Sequence, residues 1–260
     1  MTNNKGGVGK SAVVRELAAA LARREQRVLC ADLDPQANLS RRLGFVDESA
    51  NPRPTLADAI KADQTGCAAD IIVPCGWDER IDLLPSSFDL ENRISEAGTV
   101  GAVQRLRNVT AGVTKPYAWR LLDCPPSLGH LTQLGLVMAG SEEEEDGPGF
   151  VVIVLEPEFD AMTGALRVRD FVEQYSARLG VPKLRVGGVI VNRVRHTELH
   201  TANIADIAEA FDGLLWEPYI PLWTVLADAN NSAVPLSSLG SRAKEMATLF
   251  DALADQMEAA

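Results

Sequence analysis

The most constraining feature of this chain is the heptad Lys-Gly-Gly-Val-Gly-Lys-Ser at residues 5–11. Its glycines let backbone N–H groups approach a phosphate closely, because no side chain stands between them and the anion. Lys10 and Ser11 stand where a lysine would contact the β- and γ-phosphates and a hydroxyl would bind Mg²⁺. The heptad therefore predicts a phosphate-binding loop, with nucleotide contacts from Gly6, Gly7, Val8, Gly9, Lys10 and Ser11.

The segment that follows the heptad favours this interpretation over a simple glycine-rich turn. Residues 12–24 are rich in alanine and leucine, and Val13, Val14, Leu17 and Leu21 fall on one face at helical spacing. A helix that begins here directs its free N–H groups and its dipole at the anion. The loop, the lysine, the hydroxyl and the helix therefore all favour nucleotide binding.

The residues before the heptad conflict with this picture. A phosphate-binding loop should follow a buried strand, but only Met1-Thr2-Asn3-Asn4 precede Lys5. Loss of a central strand would leave its two neighbours with unpaired backbone groups and an empty volume in the core. We expect a misplaced or truncated start, with the first strand missing before residue 5.

Composition fits one α/β domain that spans residues 1–260. The chain is 46% hydrophobic and contains no apolar run long enough to span a membrane. Its net charge of −11 argues against a protein coated in positive charge for nucleic acid or anionic lipid. The four cysteines form no CxxC pair, which favours reduced thiols and a cytoplasmic location.

Apolar strand candidates alternate with helical stretches along the chain. This alternation predicts an α/β fold, a mainly parallel twisted sheet with helices on both faces. Ligands of such sheets lie at the carboxyl ends of the strands. The strand candidates are 27–33, 81–85, 118–123, 150–155, 186–192 and 215–220, and the helical stretches are 12–24, 89–107, 160–178, 201–212 and 241–258.

Two predicted strands end in acidic residues. Residues 32–38 read Asp-Leu-Asp-Pro-Gln-Ala-Asn, and residues 123–127 read Asp-Cys-Pro-Pro-Ser. Carboxylates at this edge of a sheet can hold Mg²⁺ through water or orient an attacking water molecule. The alternative is that they cap the turns that follow the strands.

The two-lysine loop and these two acidic segments, in this order, resemble the deviant Walker A ATPases of the ParA/MinD family over nearly the whole chain. The resemblance implies ATP and Mg²⁺ as ligands and a homodimer in the ATP state. It implies that Lys5 reaches the nucleotide of the partner subunit and that Lys10 contacts the phosphates. It also implies that Asp34 positions the hydrolytic water, whereas Asp32 is structural. Asp123 would join Ser11 at the metal, and Pro125–Ser127 would respond to the γ-phosphate.

Further residues receive roles from the same resemblance. Asn192 and Pro221 would contact the adenine base, since an Asn side chain offers both a donor and an acceptor. Glu158 would lie at the dimer interface, although an acidic residue also suits a solvated helix N-terminus. The chain resembles the ParA or Soj branch most, because it lacks the basic C-terminal helix of the MinD branch and the cluster cysteines of the nitrogenase iron protein.

The chain departs from the family pattern where partition ATPases bind DNA. The segment after Ile-Pro reads Leu-Trp-Thr-Val-Leu at 222–226 and contains no basic residue. A few converging cations suffice for phosphate contact, so DNA binding would fall to another cluster. The alternative is ordinary surface ion pairs. The candidate cations are Arg178, Lys183, Arg185, Arg193 and Arg195, joined by Arg242 and Lys244.

Two functions of different class follow. The first is a partition ATPase, nucleoid-associated through non-specific DNA binding in the ATP state and stimulated by a ParB-like partner. The second is a ParA-like ATPase that positions or regulates a protein complex without binding DNA or membrane. A ligase of the dethiobiotin-synthetase type is disfavoured by Lys5. The acidic run at 142–146 is expected to be a solvated loop.

Overall fold

The computed structural model describes residues 1–46, 53–140, 149–226, 229 and 234–260. The acidic run at 142–146 and the side chain of Arg242 lie outside the described residues. Within the described part, no helix is long and apolar enough to cross a membrane.

Seven strands build the sheet in this part of the chain. They are β1 (Val28–Asp32), β2 (Val73–Pro74), β3 (Ile81–Leu84), β4 (Trp119–Asp123), β5 (Phe150–Leu155), β6 (Arg185–Val191) and β7 (Leu215–Trp216). They pair in the orders β2-β3-β1-β4 and β5-β6-β7, and every pair is parallel except β2 with β3. The predicted mainly parallel sheet is confirmed, although the last strand ends at Trp216 rather than at residue 220.

Residues 1–3 join the two groups of strands. The Thr2 N–H donates to the Val152 carbonyl (3.0 Å), and the Val154 N–H donates to the Thr2 carbonyl (3.2 Å). On the other side, the Cys124 N–H donates to the Met1 carbonyl (3.1 Å), and the Met1 amino group donates to the carbonyl of Leu122. These residues therefore occupy the position between β4 and β5 where a first strand was expected, although they fill only one end of it.

Next to residues 1–3, a cavity of about 350 Å³ lies between the amino ends of β4 and β5. Backbone and side chains of both strands line it, and Met138 and Met257 contribute apolar surface from the two faces of the sheet. An upstream start for the chain stays a prediction.

Eight helices cover the sheet in the described ranges. They are α1 (Lys10–Arg23), α2 (Asn38–Arg42), α3 (Leu56–Ala62), α4 (Arg105–Thr110), α5 (His130–Ala139), α6 (Phe159–Tyr175), α7 (Glu198–Ala210) and α8 (Ser241–Ala259). The sequence prediction of one helix over 89–107 is wrong. That stretch contains the 3₁₀ helices Phe88–Gly98 and Ala102–Gln104 before α4. The two are separated where Gly98 ends the first and Gly101 adopts a left-handed φ of 74° before the second.

Alternate residues of each strand face opposite layers. Val28 and Cys30 of β1 join the cluster beneath α1 and α8, whereas Leu29 and Ala31 join the cluster beneath α3 and α5. A third cluster packs β5 and β6 against α6 and α7. The apolar stripe of α8 is buried against α1, as its spacing predicted, with Phe250 and Leu253 fully enclosed. This layering directs the carboxyl ends of the parallel strands to one edge.

Candidate functional site

The phosphate-binding loop runs from the end of the 1–3 segment to the start of α1. Val8 is buried in the cluster beneath α6 and anchors the middle of the loop, while Gly6 and Gly7 are exposed. Gly7 and Gly9 have φ values of 82° and 92°, a conformation that glycine adopts without strain. A Cβ on Gly9 would lie 2.2 Å from Asn192 Nδ2, so no larger residue fits there. The loop thus exposes its backbone as the heptad predicted.

Lys10 lies beneath the loop and close to two of the predicted acids. Its Nζ donates to the Lys5 carbonyl at 3.4 Å, and the side chain is buried. Burial lowers the pKa of Lys10, and the carboxylates of Asp123 and Asp34 oppose that shift. The lysine from α1 and the acids that follow β4 and β1 therefore meet at one edge of the sheet, as the sequence predicted.

Asp32 and Asp34 differ in environment. Asp32 is fully buried, and its carboxylate accepts hydrogen bonds from the Ser40 N–H and hydroxyl (both 2.8 Å) and the Asp34 N–H (3.1 Å). It ties β1 to α2, which matches the structural role given to it. Asp34 is only half-buried, with Oδ1 accepting from the Gln36 N–H at 2.9 Å. Its second carboxylate oxygen makes no hydrogen bond with the rest of the described chain.

Asp123 ends β4 directly beside Asp32, its register partner on β1. It is 1% exposed, and neither carboxylate oxygen has a protein hydrogen-bond partner of good geometry in the described chain. Burial raises the pKa of Asp123, whereas the Ser11 hydroxyl and Lys10 lie close enough to lower it. A buried carboxylate without partners is costly.

The carboxylate of Asp123 and the hydroxyl of Ser11 are oxygen ligands that fit Mg²⁺. The ion binds through one or two carboxylates and keeps its remaining positions for water and phosphate oxygens. No group of three His, Cys, Asp or Glu side chains among the described residues is placed to hold a metal ion. Asp123 and Ser11 are the residues that would hold it.

The Pro125–Ser127 segment lies beside the loop. A Cβ on Gly6 would be 3.9 Å from Pro126, and the Ser127 carbonyl accepts a hydrogen bond from Thr132 Oγ1 (2.6 Å) in α5. Pro125 is buried, whereas Pro126 and Ser127 are exposed. The segment therefore links the loop to the start of α5.

Lys5 makes an ion pair within its own chain. Its Nζ lies 3.0 Å from Glu158 Oε2, and the lysine holds the pKa of that carboxyl below its usual value. The start of α6 also packs tightly here, since a Cβ on Gly164 would lie 2.6 Å from Asn3 Oδ1. Asn3 Nδ2 in turn donates to the Val154 carbonyl at 2.8 Å. The loop entrance is thus fixed against β5 and α6.

Asn192 and Arg193, after β6, both contact the loop. Asn192 is buried, with Nδ2 donating to the Val8 carbonyl (2.8 Å) and Oδ1 accepting from the Arg193 N–H (2.9 Å). Arg193 Nη1 donates to the Gly7 carbonyl and to Glu156 Oε1, both at 2.7 Å. Both polar groups of the Asn192 side chain are therefore engaged within the chain, and its adenine contact stays a prediction.

Pro221 lies at a groove beyond these residues. A bridge pairs Val194 with Pro221, and a cavity of about 500 Å³ opens beside them, with Tyr219 and Trp223 in its wall. Arg195 and His196 add polar groups to the same wall. Apolar and aromatic walls with a few polar groups are typical of small-molecule sites.

Five of the basic residues proposed for one DNA-binding cluster do not lie together, and that part of the prediction needs correction. Arg178, Lys183 and Arg185 lie at the amino end of β6, whereas Arg193 and Arg195 follow its carboxyl end. A seven-residue strand separates the two groups by about 20 Å. Arg193 is moreover paired with Glu156. The two groups are close in sequence, which suggested a cluster, but the extended strand β6 between them keeps them apart in space.

The fold and site define a P-loop nucleotide-binding protein of the mainly parallel α/β class. A sequence model of the AAA domain family matches residues 1–184. The chain is 28% identical to the sporulation initiation inhibitor protein Soj of Bacillus subtilis, over 96% of this chain and 94% of Soj. It is 29% identical to the chromosome partitioning protein ParA of Caulobacter vibrioides, over 91% of this chain and 84% of ParA.

The fold is similar to that of McdA from Cyanothece. The apo structure superposes with a TM-score of 0.83 at 22% identity, covering 98% of this chain and 97% of McdA. An ATP complex of a McdA variant gives a TM-score of 0.82 at 22% identity, covering 99% and 94%. The chain therefore belongs to the AAA domain family and is a P-loop ATPase of the ParA/MinD type.

Sequence reasoning missed three contacts at this site. It gave Arg193 a place only among DNA-binding candidates, and it did not consider Glu156. No motif marks either residue for the loop, because Arg193 contacts Gly7 across 186 positions of the chain and Glu156 reaches the loop only through Arg193, 37 positions away. It also missed the hydrogen bond from Ser86 Oγ to the Asp34 carbonyl (2.8 Å).

Proposed function

We propose that this chain is an ATP-dependent dimerising ATPase that acts in plasmid or chromosome partition. The supporting observation is the convergence of the loop, Lys10 and Ser11 with Asp34 and the buried carboxylate of Asp123. Positioning and charge stabilisation supply most of the catalysis in phosphoryl transfer, and these residues offer both.

Each residue then has a defined task. The loop amides and Lys10 bind the phosphates of ATP, and Ser11 with Asp123 holds Mg²⁺. Asp34, whose second carboxylate oxygen is unengaged, orients the water that attacks the γ-phosphate. The chemistry that Mg²⁺ supplies at such a site is neutralisation of charge on the phosphate oxygens.

The adenine base would occupy the groove beside Pro221, where Tyr219 and Trp223 provide apolar and aromatic wall. Asn192 would read the base with the second N–H of Nδ2 and the second lone pair of Oδ1, while it keeps its hydrogen bond to the Val8 carbonyl. The free thiols of the described cysteines agree with a cytoplasmic location.

Dimerisation would place Lys5 at the phosphates of the partner subunit. Lys5 must then break its ion pair with Glu158. The free-energy cost is small, because this ion pair is partly exposed to solvent. A ParB-like protein would stimulate the slow hydrolysis and thereby dissociate the dimer. The two arrangements form a two-state switch that the γ-phosphate biases.

The test is co-sedimentation with non-specific DNA in ATP and in ADP at moderate salt, with light scattering of the same samples. The Asp34→Ala variant is used to prolong the ATP state, and Lys10→Ala serves as the variant that cannot bind nucleotide. We expect an ATP-dependent dimer that sediments with DNA only in ATP. A monomer in every nucleotide state contradicts the proposal.

A second candidate is a ParA-like ATPase that positions or regulates a protein complex without binding DNA. The separation of the basic residues to opposite ends of β6 favours it, as do the net charge of −11 and the absence of basic residues at 222–226. In the same experiment, an ATP-dependent dimer that ignores DNA supports this function over partition.

A further inference from the structure

The guanidinium of Arg193 connects three segments that are distant in sequence. Arg193 stands two residues after β6, Glu156 follows β5 directly, and Gly7 lies in the phosphate-binding loop. One nitrogen, Nη1, lies 2.7 Å from both the Gly7 carbonyl and Glu156 Oε1. A charged donor held by a carboxylate and a carbonyl makes stronger hydrogen bonds than a neutral one.

The backbone of Arg193 is held in an unusual conformation. Its φ of 56° lies in the left-handed region, which non-glycine residues adopt only when surrounding contacts compensate. Those contacts are present here. Asn192 Oδ1 accepts the Arg193 N–H (2.9 Å), and the next residue, Val194, donates its N–H to the Ile220 carbonyl (2.9 Å). The turn after β6 is therefore firmly defined.

The two residues together hold consecutive carbonyls of the loop. Asn192 Nδ2 donates to the Val8 carbonyl, and Arg193 Nη1 donates to the Gly7 carbonyl. A phosphate-binding loop works only when its N–H groups face the anion, which requires its carbonyls to point elsewhere. Donors on the carbonyl side fix that orientation before the nucleotide arrives, so that less reorganisation is needed on binding.

We infer that Arg193, supported by Glu156, is a positioning residue that pre-organises the phosphate-binding loop. Arg193 acts through the Gly7 carbonyl, and its charge is balanced by Glu156 rather than left free for a distant anion. The inference rests on the proposed nucleotide binding, because it assigns Arg193 to that same site.

The experiment compares Arg193→Ala, Arg193→Lys and Glu156→Gln with the unaltered protein. Amide hydrogen exchange of residues 5–9 is measured without nucleotide, and the dissociation constants of ATP and ADP are measured by titration. Arg167→Ala is the matched control, since it removes an exposed arginine from α6. Thermal unfolding of every variant verifies that it folds.

We expect Arg193→Ala to speed exchange in the loop and to weaken both nucleotides about tenfold, the loss of one hydrogen bond from a charged donor. Arg193→Lys should recover part of the affinity, because its ammonium can still donate to the Gly7 carbonyl. Glu156→Gln keeps an acceptor and should weaken binding less. In the double variant Arg193→Ala with Glu156→Gln, the two losses should not add, because Glu156 acts through Arg193.

Unchanged exchange and unchanged nucleotide affinity in folded Arg193→Ala would overturn the inference. So would equal losses in Arg193→Ala and Arg167→Ala. Failure of the proposed dimerisation or DNA binding leaves this test unaffected, because it uses monomeric nucleotide binding. Failure of nucleotide binding itself is distinguishable, because the unaltered protein then binds no ATP while hydrogen exchange still measures whether Arg193 restrains the loop.

Discussion

Lys5 Nζ and Glu158 Oε2 lie 3.0 Å apart, so the extra lysine of the phosphate-binding loop is paired within its own subunit. The Glu158 side chain is 49% exposed and stands at the start of α6. The proposed dimer requires Lys5 to exchange this carboxylate for the phosphates of the partner's nucleotide. The intrachain pair is therefore a competitor of dimerisation.

Glu158→Gln should strengthen the ATP-dependent dimer. An exposed ion pair contributes about 0.2–1 kcal/mol, and a dimer releases two of them, so their loss should lower the dimer dissociation constant by about twofold to thirtyfold. Analytical ultracentrifugation in ATP measures this change, and Asp160→Asn is a matched control on the same helix. A weaker dimer in Glu158→Gln would show that Glu158 instead contributes to the interface.

Lys5→Ala should leave nucleotide binding by the monomer nearly intact while preventing the ATP-dependent dimer. The reason is that the Lys5 side chain points to Glu158, whereas its carbonyl accepts the hydrogen bond from Lys10. Titration with a fluorescent ATP analogue and light scattering separate the two effects. An ATP-dependent dimer of Lys5→Ala contradicts the role given to this lysine.

Asp34→Ala should reduce ATP turnover about 10²-fold and prolong the ATP-bound dimer, because a positioned carboxylate contributes roughly this factor. Asp34→Asn is the informative companion. It keeps an acceptor for the Gln36 N–H but removes the charge. It therefore distinguishes the role of Asp34 in the turn from its role in hydrolysis. Turnover equal to that of the unaltered protein in either variant would remove Asp34 from the mechanism.

Three β-branched residues added before Met1 should stabilise the protein. Met1 lines the cavity between β4 and β5 and its amino group contacts the Leu122 carbonyl, so we expect added residues to enter the cavity and pair with both strands. Apolar burial and strand hydrogen bonds exceed the ordering cost by about 1–3 kcal/mol. Denaturant unfolding measures the gain, and three glycine or serine residues are the control. Equal stability of both extended proteins would contradict the prediction.

His130 should make the protein less stable as the pH falls below 6.5. Burial and nearby Arg105 lower the pKa of His130, and Glu96 opposes them only in part. The unfolded state therefore binds more protons than the folded state between the lowered pKa and 6.5, and stability decreases with falling pH in that range. Denaturant unfolding from pH 7.5 to 5 should show a shallower decrease for His130→Leu. An identical pH dependence in the two proteins would exclude this role.

Local patterns were sufficient for most strands, for α1, α6, α7 and α8, and for most of the site, whereas α2, α3, α5 and β2 were not predicted. The heptad at 5–11 predicted the loop and α1, and acids at strand ends predicted the meeting of Asp34 and Asp123 with Lys10. These predictions succeed because carboxyl ends of parallel strands share one edge, so residues that follow them converge without any knowledge of packing. The stretch 89–107 failed because two glycines interrupt an otherwise helical apolar spacing.

The sequence by itself determined the parallel α/β fold, the phosphate-binding loop and the acids around it, because each depends on spacing within a few residues. Only the tertiary structure decided which carbonyls Asn192 and Arg193 hold, that Lys5 pairs with Glu158, and that the basic residues lie at opposite ends of β6. These relationships depend on how segments that are distant in sequence pack together. Side-chain contacts between such segments produce no periodic pattern in the sequence from which they could be predicted.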